Sequence, residues 1–80
     1  MRAYVFIETR VGMARRVADR LHGLELTPAH VLSIDTVTGP HDIIAIVEGD
    51  DLEGIGRAIA EDIHHIEGVE NTMSCFALGN

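Results

Sequence analysis

Hydrophobic side chains enter this sequence in two rhythms. The run Ala3-Tyr4-Val5-Phe6-Ile7, closed by Glu8-Thr9-Arg10, is aromatic and β-branched, which predicts a strand. From Gly12 to His22 the spacing changes: Met13, Val17 and Leu21 recur at every fourth position while Arg15, Arg16, Asp19 and Arg20 fill the other side. That spacing predicts a helix with one stripe facing a core, and Gly23 is placed to end it. After a connection over Leu24–Pro28, His30–Thr38 has strong β-propensity with partial alternation and predicts a second strand. Asp42–Glu48 predicts a third, in which Ile44 and Ile46 point one way and Ile43, Ala45 and Val47 the other. Asp50-Asp51-Leu52-Glu53 has the form of an acidic cap with Glu three positions on, and Leu52, Ile55, Ile59, Ile63 and Ile66 follow at helical spacing. Glu53, Arg57, Glu61 and His64 are expected to face water. Glu67-Gly68 breaks this second helix, and Val69–Leu78 predicts a last strand.

The order βαββαβ, under the rules of short connections and right-handed crossovers, predicts an α+β, ferredoxin-like sandwich: four antiparallel strands with both helices on one face. The other face would be bare. Because the third strand is apolar on both sides, and the first carries Tyr4 and Phe6 opposite Val5 and Ile7, that face is expected to bury itself against a second copy. A homodimer packed sheet to sheet, a dimeric α+β barrel, is therefore expected.

Size points the same way. The chain has 80 residues, read as a single domain over 1–80, and a domain so small buries only about 60% of the surface its unfolded chain exposes. The lone Cys75 cannot close an internal disulfide, and no Cys/His spacing suggests a structural zinc, so self-association is the expected support. One free thiol fits a reducing compartment. No basic start followed by a long apolar run is present, and no segment approaches the roughly 20 apolar residues of a membrane span. A soluble, cytoplasmic protein is expected.

Six arginines, no lysines and thirteen carboxylates give a formal charge of −7, which repels a phosphate backbone. Direct nucleic-acid binding by this chain alone is not expected.

Candidate chemistry centres on Thr38-Gly39-Pro40-His41-Asp42. Gly39 can take a positive φ and Pro40 pre-sets a turn, so one reading is a hairpin turn in which Asp42 bonds nearby backbone amides. The other is a ligand site. The amides of Gly39, His41 and Asp42 would converge on a small carboxylate, while the Asp42 carboxylate or a threonine hydroxyl accepts from an ammonium group, the complement of an amino-acid zwitterion. Five histidines invite a metal reading, but they show no recognised ligand spacing, and the adjacent His64 and His65 point about 100° apart on a helix. No cofactor or metal is expected. Cys75 lacks a neighbouring base or positive field in sequence and reads as a small buried hydrophobe. Asp50-Asp51 and Glu61-Asp62 read as a helix cap and a solvated face. No phosphate loop and no Ser/His/Asp arrangement marks an enzyme.

Three stretches, AYVFIETRVG, SIDTVTGPHDIIAIVEGDDLEGI and IHHIEGVENTMSCFAL, together resemble the effector-binding (RAM) domain of the Lrp/AsnC regulators over essentially the whole chain. The most specific parts are Val37-Thr38-Gly39 followed by Asp42, and Ile66-Glu67-Gly68-Val69 followed by Thr72. The resemblance implies a βαββαβ domain that dimerises through its sheets, often assembles into octamers or similar rings, and binds small effectors, typically amino acids, between dimers. By position it implies that Thr38, Gly39, His41 and Asp42 hold the effector's charged main-chain groups, with Thr72 and Ser74 close by. The family frequently has Tyr where His41 stands; an imidazole there would make binding depend on pH. Full-length members carry a helix-turn-helix domain first, so a stand-alone member is expected here, one that modulates a full-length regulator by co-assembly. Two other readings stand beside it: a small enzyme of the dimeric α+β barrel type, and a ligand-free assembly domain.

Overall fold

A computed structural model describes residues 1–26 and 29–79. Strand β1 (Arg2–Thr9) leads to helix α1 (Ala14–His22), then to β2 (His30–Thr36) and β3 (Ile43–Glu48). Helix α2 (Leu52–Ala58) continues into a π-helical turn (Ile59–Ile63), and β4 (Val69–Phe76) closes the order. The strands lie β2-β3-β1-β4, each antiparallel to its neighbour. This is the ferredoxin-like α+β topology that the element order predicts. In the connection Leu24–Pro28, Thr27 and Pro28 lie outside the described residues.

Alternation decides what each face of the sheet carries. Ala3, Val5 and Ile7 on β1 and Ile43, Ala45 and Val47 on β3 are all 0% exposed. They pack under Val17 and Leu21 of α1 and under Ile55, Ile59, Ile63 and Ile66 of the second helical segment, so the core lies between the sheet and the helices. The opposite face carries Tyr4, Phe6, Ile44 and Ile46, each half-buried, with Met73 across from Phe6 and Cys75 across from Tyr4. Cys75 is exposed in the protomer, contrary to the sequence expectation, because its register with Tyr4 puts it on this uncovered face.

The element ends differ from the expected ones for identifiable reasons. Gly12 sits at φ +80, which a helix cannot use, so α1 starts at Ala14. A hydrogen bond from the Val37 amide to the Asp42 carbonyl (2.9 Å) closes the turn early, so β2 stops at Thr36. Asp51, not Asp50, caps α2: its Oδ1 accepts from the Gly54 amide at 2.7 Å. Glu53 then falls in the first turn and pairs with Arg57 at 3.0 Å, one turn on, and cannot complete a capping box. Leu52, the first residue of the helix, is 50% exposed and not part of the buried stripe. In the π-helical turn the His64 amide reaches the Ile59 carbonyl at 2.9 Å, five residues back, and Ile59 and Ile63 both stay in the core.

Gly68 joins the second helical segment to the last strand at φ +100, and a Cβ there would lie 2.8 Å from Met13 Cε and 3.0 Å from Val17 Cγ2. Its carbonyl also accepts from the Arg10 amide at 2.8 Å. Backbone strain and crowding against α1 coincide, so Gly68→Ala is expected to destabilise the fold by about 1–3 kcal/mol in urea denaturation. Asp51→Ala, which removes only the helix cap, is expected to cost about 1 kcal/mol in the same measurement. Equal stability of Gly68→Ala and the parent would show that the backbone relaxes freely there.

Candidate functional site

The turn between β2 and β3 is built around Asp42. Its amide donates to the Ile7 carbonyl at 3.0 Å, and its carboxylate oxygen Oδ2 accepts from the Thr9 amide at 2.8 Å. The second bond falls beyond the last β1–β3 pair, Ile7 with Ile43, so a side-chain oxygen serves in place of a backbone carbonyl and extends that ladder to Thr9, the residue at which the β1–β4 register shifts. Asp42 does bond a backbone amide, but one 33 residues away in sequence. Its own amide is committed and cannot turn toward a ligand, so the three-amide cradle expected from the sequence is reduced to Gly39 and His41. Among the described residues those two amides have no backbone partner. Gly39 sits at φ +135, which accounts for glycine at the apex.

His41 fastens the turn to the uncovered side of the sheet. Its ring packs on Phe6 with centroids 5.3 Å apart and planes at 50°, and Phe6 is the neighbour of Ile44 and Met73 across the strands. Thr38 and Gly39 lie further out, exposed.

Thr72 and Ser74 go elsewhere. In β4 they pair with Ile7 and Val5, whose side chains point into the core, so they belong to the helical side of the sheet. There they line a cleft of about 410 Å³ together with Ile59, His64 and Phe76. Within one protomer the six residues thus divide: His41 lies over Phe6 on the bare face, and Thr72 and Ser74 lie under the π-helical turn on the other. His64 is a polar neighbour that periodicity assigns to water. It is exposed, as expected, and also borders the cleft from the end of the π-helical turn.

A further polar cluster stands at the far end of the bare face. Glu48 lies 3.6 Å from Arg2 and 3.5 Å from His30, beside an open hollow of about 580 Å³ bordered by Tyr4 and Leu78. Among the described residues no three His, Cys, Asp or Glu side chains gather as metal ligands, and no helix is long and apolar enough to cross a membrane.

Comparison with known proteins agrees with this architecture. A protein of Thermus thermophilus is 28% identical over 99% of this chain and 94% of its own, with a TM-score of 0.86. Escherichia coli AsnC superimposes as well, at 0.86, but with 16% identity and over 51% of its length. A Neisseria meningitidis transcriptional regulator, solved in complex with L-methionine, matches at 0.80 with 21% identity over 98% of this chain and 49% of its own. No curated protein matches the sequence. The model of the Lrp/AsnC ligand-binding domain matches residues 2–80, and the chain, in which VTGPHD closes the central hairpin and the strands order as β2-β3-β1-β4, belongs to that family.

Proposed function

We propose that this domain binds a small amino acid at an interface between copies of itself and serves as the effector module of a transcription regulator, modulating a full-length relative by co-assembly. One observation carries the reading. Thr38, Gly39, His41 and Asp42 lie at a turn fastened to the bare face, while Thr72 and Ser74 lie on the helical side of β4, so a ligand that meets both groups sits between protomers. The Gly39 and His41 amides suit a carboxylate. The second oxygen of Asp42, with the hydroxyls of Thr38, Thr72 and Ser74, suits an ammonium group. A Neisseria meningitidis relative of the same fold has been solved with L-methionine, which makes that amino acid the first to test.

The bare face supports self-association. Tyr4, Phe6, Ile44 and Ile46 form an apolar centre on β1 and β3, extended by Met73 and bordered by the Arg2–Glu48–His30 cluster, the composition of an interface with a polar rim. Sheet-to-sheet pairing into a homodimer, and dimers into a larger ring such as an octamer, is the assembly that fits. An enzyme would call for a buried acid, base or nucleophile; among the described residues every buried side chain is apolar, which favours binding over catalysis. A charge of −7 favours a partner that itself holds the DNA, in the cytoplasm, over direct contact with nucleic acid.

Titration calorimetry of the assembled protein against the common amino acids, L-methionine first, is expected to show saturable binding to one of them. Ser74→Ala is expected to weaken it by roughly tenfold, the loss of one hydrogen bond to a charged group, and His41→Ala, which keeps the amide but removes the ring that holds the turn on Phe6, is expected to weaken it as well. An absence of heat with every amino acid, together with unchanged thermal stability, would leave a ligand-free assembly domain. Asp42→Ala is expected to cost about 1–3 kcal/mol of stability even without ligand, because it orphans the Thr9 amide, whereas Asp42→Asn keeps an acceptor and loses less. On the bare face, Ile46→Arg is expected to convert the dimer to an 8.7 kDa monomer in sedimentation; a dimer that survives it would place the interface elsewhere.

A further inference from the structure

Charge is unevenly divided along this chain. Four of its six arginines, Arg10, Arg15, Arg16 and Arg20, lie on α1 or in the turn before it, whereas nine of its thirteen carboxylates lie from Asp42 onward. The fold carries that division into space. Helix α1 packs beside β2, and the π-helical turn lies over β4, so the basic and the acidic surface share the helical layer but lie toward opposite edges of the sheet. Arg15, Arg16 and Arg20 are exposed, as are Glu61 and Asp62.

Helix α1 is at odds with its charges at its N-terminal end, although Arg20 and His22 suit its last turn. Its first turn has no acidic residue, and its N-cap, Met13, makes no side-chain cap hydrogen bond. Arg15 and Arg16 instead bring positive charge to the positive end of the helix dipole. Arg16 and Arg20, four residues apart, are like-charged neighbours that repel. Among the described residues the ion pairs are Arg2–Glu48, His30–Glu48 and Arg57–Glu53, and none of them involves an arginine of α1. Asp19, four residues after Arg15, forms no ion pair with it either.

We propose that the arginine face of α1 docks on the acidic face at Glu61 and Asp62 of a second copy of this chain, joining protomers through their helical layers. Because the two faces lie toward opposite edges of the sheet, the contact runs head to tail, α1 of one copy against the π-helical turn of the next. Guanidinium groups suit this role, since their forked donors can hold a carboxylate with two parallel hydrogen bonds. The carboxylates of a neighbour supply the counter-charge that the helix lacks within its own chain. A nucleic acid fits less well: the whole chain at −7 opposes a duplex that carries a negative charge every ~1.7 Å. The contact goes beyond the amino-acid reading and needs no ligand. It uses the side of the molecule that sheet pairing leaves outward, so alternation of the two contacts builds closed rings or open chains of dimers.

The test is a charge exchange followed by sedimentation velocity at low salt. Arg16→Glu/Arg20→Glu makes both faces acidic, and Glu61→Arg/Asp62→Arg makes both basic. Each variant alone is expected to shed species larger than the dimer, with dimer–dimer affinity down by at least ~tenfold, while an equimolar mixture regains them because opposite faces meet again. Persistence of the sheet-paired dimer in both variants separates this contact from the one that Ile46→Arg probes. Parent protein with no species above the dimer, or an Arg16→Glu/Arg20→Glu variant that assembles like the parent, would overturn the proposal. So would a loss of duplex-DNA retention in that variant with assembly unchanged, which would give the face to nucleic acid. If circular dichroism shows that a charge-reversed variant fails to fold, Arg16→Gln/Arg20→Gln decides: weaker assembly than the parent supports the contact, and equal assembly overturns it.

Discussion

Two helices can cover only one side of a four-stranded sheet, and in this chain the central strands are apolar on both. On β1 and β3 the helix-facing residues are fully buried, while Tyr4, Phe6, Ile44 and Ile46 on the reverse are left half-covered. In the protomer they lie beside their strand neighbours, with the His41 ring on Phe6 at one end and Leu78 bordering the hollow at Tyr4 at the other. A core held between one sheet face and two short helices gives a small domain little margin. The apolar reverse face is where further burial is available, and satisfying it with a second copy adds a second core without a longer chain. This constraint explains why a module of this size carries large side chains where a solvated sheet would carry polar ones.

The same constraint couples the turn to the fold. Asp42 reaches past the end of the ladder to the Thr9 amide, and His41 lies on Phe6, so both polar side chains of the turn are held by β1. A ligand that drew on the remaining Asp42 oxygen would pull on the same carboxylate that holds the end of β1 at Thr9, and one that moved His41 would uncover Phe6 at the edge of the apolar face. Ligand contacts and subunit contacts would thereby share two residues and one strand. In a molecule without a separate hinge, that sharing is a physical route by which a small molecule can change how copies pack, since it has different contacts to offer in the two arrangements.

The fold was largely legible because its signals are local and agree with one another. Met13, Val17 and Leu21 mark one helical stripe, Ile43 to Val47 mark a strand apolar on both faces, and a βαββαβ order leaves few topologies. The boundaries that shifted depend on single bonds that no spacing announces, such as the Asp51 cap to Gly54 and the Val37–Asp42 closure. For the candidate site the sequence offers residues but not their arrangement. Strand alternation alone places Thr72 and Ser74 together, yet which face they share depends on the register of β4 against β1, a long-range pairing. The commitment of the Asp42 amide to Ile7 is likewise invisible in sequence, because the partner lies on another strand. His64 faces water as its spacing predicts; that it also borders the cleft with Thr72 and Ser74 depends on how the second helical segment lies over β4, which spacing does not give.

The two outward faces of the protomer differ in kind, and the difference bears on how an assembly would respond to conditions. An apolar sheet face is held by removal of surface from water, which is insensitive to moderate salt, whereas a contact between exposed arginines and carboxylates is screened within a Debye length of about 8 Å at physiological ionic strength. A protein that uses the first contact for the dimer and the second for what lies beyond it has a permanent unit and an adjustable one. The polar groups of the candidate site are divided between the two faces, with His41 at the margin of the apolar face and Thr72 and Ser74 under the acidic π-helical turn. A small zwitterion bound between copies at Thr72 and Ser74 would bring one positive and one negative group close to the acidic side of the weaker contact. Differential affinity of that ligand for joined and separated copies needs only to rival a charge contact, not the burial of a whole sheet face, to shift the assembly.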